Sequence, residues 1–463
     1  MEDTQKSELF ERTPIPKAVL TLSIPIVISS LVSIIYSMAD TYFVGMLGDS
    51  IQNSAVTLAA PVLLAFNAVN NLFGVGSSSM MSRALGAKDY DTVRKSSAIG
   101  FYCALASGIL FSLLVTVFKS PLLSLLGAGP STTAATAQYM FWTTTCGAAP
   151  AILNVVMAYM VRSEGAALHA SIGTMSGCLL NIVLDPIFIL PWGLNMGAAG
   201  AGCATFLSNC VACLYFFVLL AVKRGKTYVC LNPAMLPHSG KILLGICAVG
   251  VPAAIQNLLN VTSMTVLNNF TAAFGDTNAI AAIGISQKLN MIPLQMALGF
   301  SQGIMPLISY NYASGNVDRM KKTLIFNIKV SGIFLIVLTA GYYAGAGGLV
   351  SLFMSNNPAV VDYGARFLRG MCLGLPLLAL DFLAVGVFQA CGLGKYALIF
   401  AILRKIVLEI PALYILNHFI PLYGLAYAQP VAELVLAVAA VVVLLRLFRR
   451  MYAEGSPLTF GRR

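Results

Sequence analysis

Residues 18–47 read AVLTLSIPIVISSLVSIIYSMADTYFVGML, an apolar run in which Asp40 is the single charged side chain. Crossing a bilayer as a helix takes about 20 mostly apolar residues, so this run spans with length to spare. The first 16 residues of the chain are polar and charged. The run is too long for the apolar region of a signal peptide and has no small-residue cleavage pattern, so it reads as a first span.

Working outward, the same kind of run recurs near 56–82, 96–126, 133–161, 168–192, 197–222, 242–272, 278–311, 323–354, 364–390, 396–420 and 424–448. The whole chain agrees with this: of 463 residues, 58% are hydrophobic and 10% charged, and the mean hydropathy is +0.84. A soluble domain carries about 25% charged residues, and a chain this apolar needs lipid as part of its solvent. The expected fold is an all-α polytopic membrane protein with twelve transmembrane helices.

The net charge of +11 would suggest nucleic acid in a soluble protein. Here the basic residues sit in short loops, among them Lys88, Arg94 and Lys95, Arg162, Lys223, Arg224 and Lys226, Arg319, Lys321 and Lys322, and Arg446, Arg449 and Arg450. The opposite loops carry acids such as Asp49, Asp276 and Asp362. The positive-inside rule accounts for the bias, places both termini in the cytoplasm, and leaves no role for nucleic acid. Trp142 and Trp192 then fall toward the outer interface.

The stretch from Lys223 to Lys241 is the one long hydrophilic interruption. It suggests an amino-terminal six-helix lobe (1–222), a cytoplasmic linker (223–241) and a carboxy-terminal six-helix lobe (242–463). The two halves superpose at a constant shift of 227 residues. Pro25 falls on Pro252, Gly48-Asp49-Ser50 on Gly275-Asp276-Thr277, Asp91, Arg94 and Lys95 on Asp318, Lys321 and Lys322, and Gly165 on Gly392. Six spans is an even number, so the halves are parallel repeats about an axis along the membrane normal. Transporters built this way bind substrate between halves.

A charge at the bilayer centre costs at least about 2.5 kcal/mol, so intramembrane acids need a reason. They are Asp40, Asp185, Asp381 and Glu409, with Glu433 near the last span. Asp40 could be an interfacial carboxylate reaching water, but apolar sequence continues past it to Leu47. Asp185 follows Asn181 by four residues and so shares its helix face. Pro186, lacking an N–H, frees a carbonyl one turn back. Amide, carboxylate and free carbonyl suit Na⁺ as a hard-oxygen cluster, or a proton on the carboxyl. Asn154 and Thr205, in neighbouring spans, are candidates to complete it; the plainer alternative is a structural hydrogen-bonded knot. In the second half, Gln256, Lys288, Asp381 and Glu409 form a candidate polar site. Lys405 stands four residues before Glu409, so that pair can neutralise itself. The amide-rich seventh and eighth spans, beside Met291 and Met296, suit a wet, adaptable cavity.

The ten cysteines lie almost entirely in apolar runs, which argues packing rather than a disulfide framework. Cys210 and Cys213 form a CxxC within a helix, with no further Cys or His to complete a metal site.

At this point the residues resemble the MATE (multidrug and toxic compound extrusion) family, on its MepA-like bacterial branch. Ser-Ile-Pro25 followed by Ala-Asp40-Thr-Tyr-Phe-Val-Gly45, Ser-Arg83-Ala-Leu-Gly86-Ala-Lys88, and Leu-Asn181-Ile-Val-Leu-Asp185-Pro186 carry the resemblance over essentially the whole chain. It implies a V-shaped bundle, working as a monomer in a bacterial inner membrane. Such a bundle exports lipophilic, mostly cationic small molecules in exchange for H⁺ or Na⁺ and needs no other cofactor. It also implies a cation site at Asp40, Asn181, Asp185 and Thr205, with Asn154 nearby, and a first helix that bends at Pro25. In some members, carboxylates of the second lobe serve instead. Asp381 matches one of these, but the seventh span offers Gln256 and Asn257 with no acid.

A lipid-linked oligosaccharide flippase of the same superfamily would want a strongly basic cavity, and Lys288 is the clearest mid-membrane base. An intramembrane enzyme would need a motif such as HExxH, and none surrounds His169, His238 or His418. No Walker A lysine motif appears either.

Overall fold

The computed structural model describes residues 8–236, 240–274, 276–353 and 357–453. Helices make up almost all of it. In the first half they are α1 (Ile15–Gly45), α2 (Ser50–Gly86), α3 (Tyr90–Val117), the short α4 (Lys119–Leu125), α5 (Thr133–Met140), α6 (Ala148–Ser163), α7 (Ala167–Ile189) and α8 (Ala198–Val222). The second half has α9 (Gly240–Ala273), α10 (Thr277–Ala313), α11 (Val317–Ser351), α12 (Pro358–Cys372), α13 (Leu375–Ala390), α14 (Gly394–Ile402), α15 (Ile410–Phe419) and α16 (Ala428–Ala453).

Among the described residues, nine helical segments are long and apolar enough to cross a membrane. Two bent pairs, α5 with α6 (48°) and α12 with α13 (44°), bring the number to eleven. The twelfth expected run, 396–420, is helical as far as Phe419. A π-turn at Leu403–Glu409 divides it into α14 and α15, and Arg404, Lys405 and Glu409 sit inside that turn. Many outward side chains are large and apolar, such as Ile333, Ile336 and Val337 at one-turn spacing on α11. Water would oppose such a surface; lipid does not.

The 227-residue repeat is written into the backbone. α2 and α10 occupy equivalent positions from first residue to last, as do α6 and α13. Asp49 caps α2 through Ile51 N (2.8 Å), and Asp276 caps α10 through Asn278 N (2.9 Å). Asp89 and Asn316, also equivalent, cap α3 and α11. Each such cap satisfies amides the helix leaves open and contributes about 1 kcal/mol. Ser82 donates to the Ser163 carbonyl (3.1 Å), and Ser309 to the Ala390 carbonyl (2.9 Å). Even the left-handed turns recur, at Lys88 and Gly315 and again at Asn195 and Leu422. A leucine in that region is strained, so the turn is imposed by its surroundings and not by the residue.

The chain compacts into two units, but they do not divide at the 223–241 linker. One is built around Ile28–Ala254; the other joins Phe10–Val27 to the chain from Ile255 onward. The lead-in to each half's first helix therefore packs with helices of the other half. Ser23 and Val27 of α1 lie against Gly303 and Gly299 of α10, and Ile246 and Gly250 of α9 lie against Gly76 and Leu72 of α2. Glycine removes the Cβ that would hold these helices apart, as close membrane packing requires. The changeover falls two residues after Pro25 and two after Pro252, and α1 and α9 each run through their proline as one helix. The equivalent landmark Gly275 and linker residues 237–239 lie outside the described residues.

Candidate functional site

In the first unit, α7 supplies Asn181 and Asp185 one turn apart on its inner face, and both are essentially inaccessible. α8 presents Thr205 to them. The Asn181 amide is oriented by its neighbours. With its nitrogen toward the carboxylate, it donates to Asp185 Oδ2 (2.8 Å) and Oδ1 (3.1 Å), while its oxygen accepts from Thr205 N (3.1 Å) and Oγ1 (3.3 Å). α1 brings Asp40, whose Oδ1 is buried without a hydrogen-bond partner. Asp40 is near enough to act electrostatically on Asp185, and among the described residues no basic side chain acts on either carboxylate.

Tyr36 completes the set. It lies one turn before Asp40, faces both carboxylates, and its hydroxyl meets Thr205. Tyr139 of α5 also faces Asp40, Tyr36 and Asp185. Neither tyrosine was among the sequence candidates, although Tyr36 and Asp40 stand four apart on one helix face, a spacing that marks them as neighbours. Asn154 does not join the cluster. From α6 its amide donates to Asn209 Oδ1 (2.8 Å) and back to the Pro150 carbonyl (3.1 Å), because its helix face meets α8 rather than α7. Cys213 of the CxxC donates to the same Pro150 carbonyl (3.2 Å).

The second unit uses its acids differently. Arg404, wholly buried, lies with Nε 2.7 Å from Glu433 Oε1, with Nη1 3.5 Å from Asp381 Oδ2, and with its guanidinium over the Phe382 ring. The contacts are close enough for charge attraction but lack the alignment of N–H···O bonds. Lys405 pairs with Glu409 (2.6 Å), as the four-residue spacing predicts, and Ser263 of α9 donates to the other Glu409 oxygen. Arg404 and Glu409 are five apart, the repeat of a π-turn, which lets both face inward from one segment. The expected second-half site is thus not one site. Gln256 pairs instead with Gln389 (3.5 Å). Lys288 is exposed and forms no ion pair with an acid among the described residues.

The two clusters therefore differ in kind: among the described residues, Asp40 and Asp185 meet no base, whereas Asp381, Glu409 and Glu433 are already met by Arg404 and Lys405. The sequence profile of the MatE family matches residues 25–187 and 252–415, two segments beginning at Pro25 and Pro252. The chain belongs to the MatE family. The multidrug export protein MepA of Staphylococcus aureus is 33% identical over 455 residues, covering 98% of each chain. Its counterpart in Staphylococcus saprophyticus is 34% identical over 460 residues. An outward-facing structure of a multidrug resistance MATE family transporter of the MOP superfamily superposes with a TM-score of 0.91 at 27% identity. It covers 96% of this chain and 98% of the other. This MatE chain is thus a membrane transporter with the twelve-helix, two-half architecture of its family, and the Asn181, Asp185 and Asp40 cluster lies within the profile's first match.

Proposed function

We propose that this chain exports lipophilic, mostly cationic small molecules, as a monomer in the bacterial plasma membrane, in exchange for H⁺ or Na⁺. Both termini and the 223–241 linker face the cytoplasm in this reading, and the cargo leaves chemically unchanged. One observation carries it. Asp185 is buried and Asp40 half-buried with its Oδ1 shielded, and among the described residues neither carboxylate meets a basic side chain. Two such carboxylates are an electrostatic well for a small cation, since uncompensated charge in a low-dielectric site is costly. The names of the staphylococcal relatives, multidrug export proteins, point to the same activity.

The cluster's hydrogen bonds suggest how a cation would register. A proton on Asp185 or Asp40 removes an acceptor and supplies a donor, which Tyr36, Asn181 and Thr205 must answer by reorienting. A sodium ion needs oxygens, so Asn181 would turn its Oδ1 inward and Thr205 would present its hydroxyl oxygen. Either event reaches α1 through Asp40 and Tyr36, the helix that passes between units just beyond Pro25. Neutralising the cluster weakens its hold on a cationic drug; emptying it restores that hold.

Purified protein in proteoliposomes tests the proposal by ethidium efflux, with a pH gradient and a Na⁺ gradient imposed separately. One gradient should drive efflux in the wild type. Asp185→Asn and Asp40→Asn should insert normally and lose the driven component, because an amide keeps the shape but cannot cycle its charge. Efflux by Asp185→Asn at the wild-type rate, with Asp381→Asn inactive, would move coupling to the second unit.

A further inference from the structure

A cavity in the first unit lies where α8 ends and the linker begins, apart from the carboxylate cluster in the chain. Its volume is about 500 Å³, and it is lined by Arg94 near the start of α3, by Phe217 and Leu220 at the end of α8, by Arg224 just beyond it, and by Thr227 and Leu231 of the returning linker. The described residues that line it include no acid. Arg94 and Arg224 are exposed, and neither guanidinium has a carboxylate partner among the described residues. The nearby Lys95 and Asp91 are spent on each other at 2.6 Å.

The linker wall is built rather than draped. Buried Glu164 accepts from Thr227 Oγ1 (2.5 Å) and from Tyr228 N (2.7 Å). Cys230 N donates to Ser97 Oγ (2.9 Å), and Tyr102 donates its hydroxyl to the Leu231 carbonyl (2.8 Å). Tyr228 stacks on Tyr90 with ring centres 4.9 Å apart. A hydrophilic linker held this firmly keeps its side of the cavity in place.

The second half closes the equivalent place. Arg94 corresponds to Lys321 and Gly225 to Tyr452 at the 227-residue shift. Tyr452 lays its ring 5.6 Å from the Lys321 ammonium and donates its hydroxyl to Asp318 (2.7 Å). In the first half Gly225, with φ of +83°, has no side chain to do this.

The vertical arrangement identifies the ligand class. Phe217 lies five residues before Val222, the last residue of α8, or roughly 8 Å along the helix, and Arg224 stands just beyond that end. Arginines stand at the end of a membrane span, with aromatic and aliphatic side chains below them, at the depth of the upper acyl chain. Basic pockets between spans bind anionic lipid headgroups through the same combination. We infer that this cavity binds the phosphate of an anionic phospholipid between Arg94 and Arg224, with its upper acyl chain along Phe217 and Leu220.

Native mass spectrometry of the full-length protein in detergent micelles counts bound lipid directly. Phosphatidylglycerol should saturate at one molecule per chain with roughly 30-fold preference over phosphatidylcholine, as two interfacial cations imply. Arg94→Gln with Arg224→Gln should bring the preference near one. Leu220→Trp keeps both arginines, fills the acyl part of the cavity, and should also lower phosphatidylglycerol binding. Equal binding of the two lipids by wild type, or an undiminished preference in the double variant, overturns the inference. So does displacement of phosphatidylglycerol by glycerol phosphate at equal concentration, which would make the cavity a site for soluble phosphate. If the double variant does not fold, Arg94→Gln alone and Leu220→Trp decide the matter.

Discussion

Replacing Arg404 by glutamine is the sharpest test of how the second unit holds its charges. At an effective dielectric constant of about 20, its 2.7 Å contact to Glu433 corresponds to about 6 kcal/mol of attraction, and its 3.5 Å contact to Asp381 to about 5 kcal/mol. Desolvating each buried ion costs several kcal/mol, so the intact group comes out near balance and adds little net stability. Removing the arginine alone upsets that balance. Two buried carboxylates remain, and the nearest base, Lys405, is already engaged by Glu409. Breaking a buried pair in this way costs about 3–5 kcal/mol. Arg404→Gln should therefore lose that much stability in equilibrium unfolding by SDS in mixed micelles. Adding Glu433→Gln should recover more of the loss than adding Asp381→Asn, because Glu433 is the closer partner. A single variant within about 1 kcal/mol of wild type would refute the reasoning. Rescue by Asp381→Asn exceeding rescue by Glu433→Gln would place the dominant pair elsewhere.

Two further outcomes follow from the packing and the charge distribution. A methyl group at Gly250 would overlap the Leu72 carbonyl oxygen, whereas Gly345 has open space around it; Gly250→Ala should reduce folded protein severely on fluorescence-detected size exclusion, and Gly345→Ala should leave it unchanged. Comparable yields would mean that α9 does not pack on α2 as described. In a cysteine-free background, a cysteine placed at Lys226 should resist an impermeant thiol reagent in intact cells and react once the membrane is opened; labelling in intact cells reverses the topology.

Much of this was legible in one dimension. Lipid imposes a length and a polarity on every span, so residues 18–47 alone establish the class of protein and the remaining runs its twelve-helix plan. Duplication leaves equal spacing between turn residues, caps and prolines, so the repeat could be read without coordinates. Asn181 and Asp185 were legible as partners because a helix brings residues four apart onto one face. The Lys405–Glu409 pair was legible for the same reason.

What only the tertiary structure decided lies between elements that the sequence leaves at arbitrary distance. Tyr36 and Tyr139 join the carboxylates, and Asn154 leaves them for Asn209, according to which faces of α1, α5, α6 and α8 meet α7. Arg404 reaches Glu433 and Asp381 from a π-turn, whose five-residue repeat no α-helical pattern anticipates. The compact units form after Pro25 and Pro252 rather than at the polar linker, because close helix packing through Gly76, Gly250, Gly299 and Gly303 outweighs chain order. Hydrophobic length and helical period are local properties that a sequence carries within itself. Which side chain meets which across a bundle depends on helix rotation and approach, and those are set by packing of the whole.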